Sequence, residues 1–123
     1  MNDETLLLRQ VHPAWVQAGN ITSQVFRPTA KDHSRLSVYN GDLISAPAAW
    51  THYTDTLGYK SCGVVAVSAR ECRLEDLQVN ADPAPFPEHA VIEFGSLNRN
   101  DTERKSKRLK LMAEARGWLH AVA

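Results

Sequence analysis

Apolar residues fall into short runs along this chain, separated by proline, glycine and polar residues. Leu6–Val11 and Leu36–Tyr39 are short apolar segments typical of strands, and the second is followed by the turn sequence Asn40-Gly41-Asp42. Lys60–Val67 is apolar on both faces towards its end, which predicts a strand in the middle of a sheet. His89–Phe94 has one charged residue and predicts a further strand.

Three other segments predict helices. Ser45–Gly58 begins with a capping serine, has apolar residues at helical spacing and ends in glycine. Ser68–Leu77 opens with the serine and glutamate of a capping box. A last helix is expected to begin after a cap at Ser96 or Asn98 and to run to Arg116, before a glycine.

The remaining segments give weaker signals. His12–Gly19 predicts one helical turn, Asn20–Phe26 a β-prone segment, Arg27–Ser34 a loop, and Asp82–Pro87 an extended loop with three prolines. Strands and helices are mixed without a regular βαβ repeat, and short early connections favour antiparallel pairing. We therefore expect one α+β domain over residues 1–123. It should have a mixed or antiparallel sheet of about five short strands and about three helices packed mainly on one face, the C-terminal helix being amphipathic.

The composition is that of an ordinary folded domain, with 43% hydrophobic and 23% charged residues among 123. The two cysteines, Cys62 and Cys72, are too few for a disulfide framework. Residues 1–8 lack the basic start of a signal peptide, and no apolar stretch approaches the ~20 residues of a membrane span. We expect a cytoplasmic protein with free thiols and no membrane partner.

The charge is divided unevenly, although the whole chain is neutral. Residues 97–123 have seven basic and three acidic side chains, so the remainder is acidic by four charges. On the last helix, Arg104, Lys107, Arg108 and Lys110 lie largely opposite the apolar arc. They predict a surface for a protein partner or for self-association. The pattern does not favour nucleic acid, because no aromatic residue interleaves the basic run.

Part of this charge has partners within the chain. The acid-first spacings Asp101–Lys105 and Glu103–Lys107 predict ion pairs on the helix surface, and Glu114 and Lys110 can also pair. A further alternative is that the helix packs across acidic segments of the chain's own body. Those acidic residues are Glu71, Glu75, Asp76 and Asp82.

No motif for catalysis, a cofactor or a metal is strong in this sequence. Glycine-rich nucleotide loops and the Gly-x-Ser-x-Gly motif are absent. None of the five histidines lies three or four residues from another, which gives no metal-ligand spacing. We therefore expect no cofactor and no metal, and the sequence leaves open whether the chain is an enzyme.

One set of residues suggests an enzyme by its order along the chain. An arginine ends the first strand with a histidine just beyond it, serines lie on the next two strands, and a glutamate and a histidine open a late strand. They are Arg9, His12, Ser23, Ser37, Glu88 and His89. This order of an early Arg or His, a middle Ser or Tyr and a late Glu resembles that of ADP-ribosyltransferase-type domains. The resemblance implies that the first group holds a nicotinamide nucleotide, the second supports it and the Glu orients the 2′-hydroxyl or the nucleophile.

Three functional hypotheses follow. The first is a small cytoplasmic protein-interaction or accessory domain, in which Phe86, framed by two prolines, either plugs its own fold or anchors a partner beside the basic helix. The second is a small nucleotide-using enzyme, ADP-ribosyltransferase-like, with a site near Arg9 and Glu88. The third is nucleic-acid binding through the basic helix. The candidate catalytic residues are Arg9, His12, Ser37, Glu88 and His89.

Overall fold

The computed structural model describes residues 1–29 and 34–122. Its strands are β1 (Leu6–Gln10), β2 (Val16–Gln17), β3 (Asn20–Ile21), β4 (Arg35–Asn40), β5 (Gly63–Ser68), β6 (Gln78–Ala81), β7 (His89–Glu93) and β8 (His120–Ala121). Its α-helices are α1 (Ala46–Thr51), α2 (Ala69–Leu74) and α3 (Arg99–Arg116). Short 3-10 turns cover Pro13–Trp15 and Ser23–Phe26, and a π-helical turn at His52–Thr56 continues α1. The expected loop over residues 27–34 lies partly outside the described residues.

Six strands form one antiparallel sheet in the order β6-β7-β4-β1-β5-β8, and β2 pairs with β3 in a separate hairpin. The α+β fold with an antiparallel sheet and three helices is therefore confirmed. The main sheet includes two strands that the sequence pattern did not predict, β6 and β8. Both are short edge strands with mostly exposed residues, so neither has the alternating apolar pattern that marks a half-buried strand.

The expected helical turn over residues 12–19 is in part a hairpin. The helical geometry is confined to the 3-10 turn at Pro13–Trp15. Ala18 and Gly19 join β2 to β3, and their φ angles of 50° and 82° are those of a two-residue hairpin turn. Gly19 therefore turns a hairpin and does not end a helix.

The sheet is buried on both faces. Leu7 and Val65 belong to a large core that also contains residues of α2 and α3. Leu8 and Val64 point to the opposite face, where they pack with Ala49 of α1. Two of the three helices, α2 and α3, pack on one face of the sheet, in line with the expectation of helices mainly on one face, and α1 covers the other. No helix in the described part of the chain is long and apolar enough to cross a membrane.

The helix α3 begins and ends as its sequence predicts. The side chain of Asn98 accepts a hydrogen bond from the Asp101 backbone N–H at 2.8 Å, and Gly117 follows the last turn with φ 89°. Its buried face includes Lys105 and Ser106 as well as apolar residues. The expected pair of Lys105 with Asp101 is wrong, because Lys105 points into the body of the protein and donates to a backbone carbonyl there.

The basic residues of α3 pack against acidic residues of the chain's own body. Arg116 pairs with Glu71 of α2 at 2.8 Å, and Arg108 pairs with Glu75 at 3.1 Å. Lys105 donates to the backbone carbonyl of the same Glu75. The alternative in which the helix packs across acidic segments is therefore confirmed at Glu71 and Glu75.

Pairs along the helix itself follow the spacing in part. Lys110 and Glu114 form the expected pair at 3.0 Å. Glu103 instead binds Arg27 at 2.8 Å, a residue that follows the second 3-10 turn. The expected pair of Glu103 with Lys107 is therefore wrong, since the carboxylate faces a partner that is distant in sequence.

The helix α2 is fixed at its start by a complete capping box. The Ser68 hydroxyl accepts from the Glu71 N–H at 3.1 Å, and the Glu71 carboxylate accepts from the Ser68 N–H at 2.7 Å. The helix ends at Leu74, earlier than expected, because Glu75 leaves the helical conformation and Asp76 has a positive φ of 57°.

We expect Ser68→Ala to lower the free energy of unfolding by about 1 kcal/mol, because it removes the acceptor for a helix N-terminal N–H. Urea denaturation followed by far-UV circular dichroism measures this change. The matched control is Ser96→Ala at an exposed serine outside the helices. The control should change stability by less than about 0.5 kcal/mol. Equal losses in the two variants would contradict the role assigned to the cap.

Glu71 should also make stability depend on acid. Burial raises its pKa, but hydrogen bonds from Arg116 and Ser68 outweigh burial and hold the pKa below the usual 4.5. A carboxyl with a lowered folded-state pKa stabilises the fold above its unfolded pKa, and this stabilisation is lost as the pH falls through the folded pKa. Glu71→Gln should therefore reduce the stability lost between about pH 5 and pH 2 in urea titrations. Glu4→Gln, at an exposed carboxylate, should leave that loss unchanged.

Candidate active site

A gap in the main sheet positions the candidate site. The pairing of β1 with β4 covers Leu7 and Leu8, and the register does not continue to Arg9. The Arg9 side chain enters the gap, where its Nη1 donates to the Ser37 carbonyl at 2.9 Å and its Nε donates to the Val25 carbonyl at 2.7 Å. The guanidinium therefore replaces backbone pairing at the point where the two strands separate.

A pocket of about 350 Å³ opens beside this gap, which is a size typical of small-molecule sites. Residues of β1, β4 and β7 line its floor. The π-helical turn and the residues after it form one wall, and the proline-rich loop, residues 82–87, forms the other. The side chains with chemical potential in its lining include Arg9, Ser37, Tyr53, Tyr59, Asp82 and His89.

Three of these residues form a continuous chain of polar contacts. The Ser37 Oγ lies 3.1 Å from His89 Nε2, and His89 Nδ1 lies 2.9 Å from the Asp82 backbone carbonyl. The Asp82 carboxylate also lies 3.4 Å from Nδ1. Because a carbonyl oxygen can only accept, Nδ1 carries the proton and Nε2 of the neutral ring has the lone pair. In this neutral form of the ring, the Ser37 hydroxyl donates to His89 Nε2.

Strand register brings these residues together. The pairing of β4 with β7 sets Ser37 opposite Val91 and Tyr39 opposite His89. His89 is therefore the diagonal neighbour of Ser37 on the same face of the sheet, within reach of a short side chain. Asp82 follows β6, and its backbone N–H donates to the His89 carbonyl at 3.0 Å. The end of one hairpin thus holds the carboxylate beside the imidazole.

The tyrosines at the pocket are neutral hydrogen-bonding groups. Burial, followed by the neighbouring Tyr53 and Glu88, raises the pKa of Tyr39 well above its usual value of 10.0. Burial also raises the pKa of Tyr53, against the opposing charge of Arg9. The Tyr39 hydroxyl lies 2.8 Å from Nδ1 of His52. Both phenols keep their protons at neutral pH, and the Tyr39 hydroxyl is already engaged with His52.

Phe86 fixes the proline-rich loop to the rest of the fold. Its ring stacks on Tyr39 at 5.2 Å between centroids and meets the rings of His52 and His89 edge-on at 4.6 Å and 5.2 Å. Phe86 therefore plugs its own fold, which is one of the two alternatives that its sequence context allows. Its use as an anchor for a partner stays a prediction.

The structure brings together three of the five predicted catalytic residues. Arg9, Ser37 and His89 line the same pocket and are in hydrogen-bond contact through Ser37. Glu88 does not line the pocket; it directly precedes β7, and its backbone carbonyl accepts from the Asn40 N–H at 2.8 Å.

Two further candidates from the sequence, His12 and Ser23, lie outside the pocket. The His12 side chain accepts from the Ala14 N–H at 3.0 Å and caps the first 3-10 turn, with its ring against Trp15 at 5.7 Å. Ser23 lies in the second 3-10 turn, where its hydroxyl is 3.5 Å from a side-chain nitrogen of Arg27. Neither residue lines the pocket that contains Ser37.

Two pocket residues escape prediction from sequence. In the sequence, Asp82 is one of several acidic residues of the body, and Tyr53 is one of the apolar positions of a predicted helix. The signal for Asp82 is its place at the start of the three-proline loop that leads into His89. No local signal marks Tyr53, because its exposure to the pocket depends on how the π-helical turn packs over the sheet.

Other chemistry finds little support in the part of the chain that the structure describes. No three His, Cys, Asp or Glu side chains gather there as a metal site requires. Cys62 and Cys72 are free thiols, as expected. Comparison of the chain with protein-family models, with curated proteins and with solved structures finds no match. The function is therefore inferred from the geometry of the pocket.

The two thiols should differ in reactivity. Burial, followed by the charge of Glu71, raises the pKa of the Cys72 thiol to about 12. The thiolate is the reactive form of cysteine, and the variant Cys62→Ser keeps only the buried Cys72. In its folded state this variant should therefore not react with iodoacetamide, and it should react once it is unfolded in guanidinium. The matched variant Cys72→Ser should be labelled at Cys62, which is half-buried. Intact-mass spectrometry measures both, and rapid labelling of native Cys62→Ser would contradict the burial of Cys72.

Proposed function

We propose that this chain is a small nucleotide-using transferase or hydrolase whose active site is the pocket beside Arg9. One observation carries the proposal. Arg9, Ser37 and His89, separated by 28 and 52 residues along the chain, lie in direct contact at one pocket. Residues that the order along the chain assigns to one reaction are thus close enough to act on one bound molecule.

The lining of the pocket suits a nucleotide in two ways. The guanidinium of Arg9 supplies positive charge for a phosphate or another anionic group. Tyr53 and Tyr59 lie with ring centroids 5.1 Å apart at the wall formed by the π-helical turn, and such rings stack against a planar base or nicotinamide. The volume of about 350 Å³ is that of a site for a mononucleotide-sized group rather than a whole dinucleotide.

The proposed acid–base residue of this site differs from the one that the ADP-ribosyltransferase-like order implies. The ADP-ribosyltransferase-like order implies a late glutamate that orients the 2′-hydroxyl or the nucleophile. Here the residue whose side chain reaches Ser37 is His89, and Glu88 lies outside the lining. We assign the acid–base role to His89, whose Nε2 lone pair can take a proton from an attacking water or hydroxyl.

The interaction-domain hypothesis stays a prediction and ranks second. Three of the four basic residues expected to meet a partner, Arg104, Arg108 and Lys110, already pair with acids of this chain. This pairing reduces the charge available to a protein or nucleic-acid partner, whereas Lys107 is exposed. A cytoplasmic location also stays a prediction.

Incubation with NAD⁺, followed by chromatography of released nicotinamide, tests the proposed function, and thermal-shift measurements with mononucleotides test binding. We expect Arg9→Gln to weaken nucleotide binding at least about tenfold, because it removes a charged hydrogen-bond donor. His89→Gln should keep binding but lose about 100-fold or more in turnover. The matched control Lys107→Gln removes an exposed basic side chain outside the pocket and should change neither quantity. Absence of both binding and turnover with every nucleotide would overturn the proposal.

A further inference from the structure

The hydroxyl of Ser37 is directed at a base, a feature that nucleotide binding alone does not require. We propose that Ser37 is an activated nucleophile and that the pocket hydrolyses small carboxylic esters through an acyl-serine intermediate. This activity goes beyond the proposed function, because it needs no nucleotide. It is carried by the contact of Ser37 with His89 together with the contacts of His89 with Asp82.

The imidazole of His89 is held in the orientation that a general base needs. Its Nδ1–H donates to the Asp82 carbonyl at 2.9 Å, which leaves the Nε2 lone pair facing Ser37 Oγ at 3.1 Å. The ring edge also packs against Phe86 at 5.2 Å, and the side chain is 11% exposed. Contacts on three sides thus keep the ring from turning away from the hydroxyl.

Asp82 stabilises the form of His89 that appears during the reaction. Its carboxylate lies 3.4 Å from Nδ1, where negative charge favours the imidazolium that forms when Nε2 takes a proton. Arg35 lies 3.7 Å from the same carboxylate and helps to position it. Serine, histidine and aspartate therefore have the relative roles of a hydrolytic triad, which is recognised by geometry rather than by sequence order.

The surroundings of Ser37 suit an ester with a short apolar acyl group. Ser37 is exposed and lies on the pocket floor, and Leu57 and Pro85 contribute apolar surface to the walls. The guanidinium of Arg9 donates to the Ser37 backbone carbonyl at 2.9 Å, which places a positive charge in the lining of the same pocket.

The reaction proceeds in two balanced steps. Ser37 Oγ attacks the ester carbonyl carbon as its proton passes to His89 Nε2, and the bond to the alcohol oxygen then breaks as that oxygen takes the proton from Nε2. Water next attacks the acyl-Ser37 carbonyl and gives a proton to Nε2. The bond to Oγ breaks, Oγ recovers the proton, and the carboxylic acid leaves.

Labelling with a fluorophosphonate probe, followed by peptide mass spectrometry, tests the nucleophile directly, and hydrolysis of p-nitrophenyl acetate tests turnover. We expect the label on Ser37 and none on Ser37→Ala. Labelling and hydrolysis should fall about 100-fold or more in His89→Gln, since a general base contributes on that order. Asp82→Asn keeps the backbone carbonyl that fixes the tautomer, so a loss of about tenfold or more would report the carboxylate itself.

The matched control Ser96→Ala removes an exposed serine that does not line the pocket and should be labelled as fast as the parent protein. Circular dichroism of each variant checks that it folds. A label on another serine, or equal rates for the parent and both His89→Gln and Asp82→Asn, would overturn the inference. Nucleotide turnover without Ser37 labelling would refute the ester activity alone, whereas Ser37 labelling without nucleotide binding would refute the proposed function alone.

Discussion

The pocket depends on the arginine that lies where β1 and β4 separate. Two carbonyl groups, those of Val25 and Ser37, accept hydrogen bonds from Arg9 at 2.7 Å and 2.9 Å. Arg9 therefore satisfies both carbonyls at the point where backbone pairing between β1 and β4 stops. If backbone pairing of β1 with β4 continued past Leu8, it would satisfy the Ser37 carbonyl, but it would remove the space beside Ser37. One side chain therefore both completes the sheet and brings positive charge to the candidate site.

The remaining geometry of the site follows from the proline-rich loop. Phe86 inserts among the rings of Tyr39, His52 and His89, which fixes the loop against the sheet. Asp82, at the start of the loop, is thereby held beside the imidazole. Proline residues reduce the conformational freedom of the loop before folding, so little further ordering is needed to place the carboxylate. The loop forms one wall of the pocket and holds Asp82 beside His89.

The basic helix shows how electrostatics that look functional in sequence are used within the fold. The sequence pattern gives equal standing to a partner and to the chain's own acidic body. In the structure, Arg108 and Arg116 pair with acids of the body and tie α3 to α2. These partly exposed pairs contribute modestly to stability, on the order of 0–1 kcal/mol each, but they orient the helix. The uneven charge is thus explained in good part by intramolecular packing, and the pocket offers the more specific chemistry.

Local pattern determined the parts of this protein that neighbouring residues decide. The capping box at Ser68, the cap at Asn98, and the strands and helices of the core follow from turn residues, caps and apolar spacing, which act within a few residues. Arg9, Ser37 and His89 were also identifiable as candidates from their order. Tertiary structure alone decided that Ser37 and His89 touch, that Asp82 joins them, and that Glu88 and His12 lie outside the pocket. The physical reason is that strand order and register are set by packing between distant segments, and a register shift of one residue would turn either side chain to the other face.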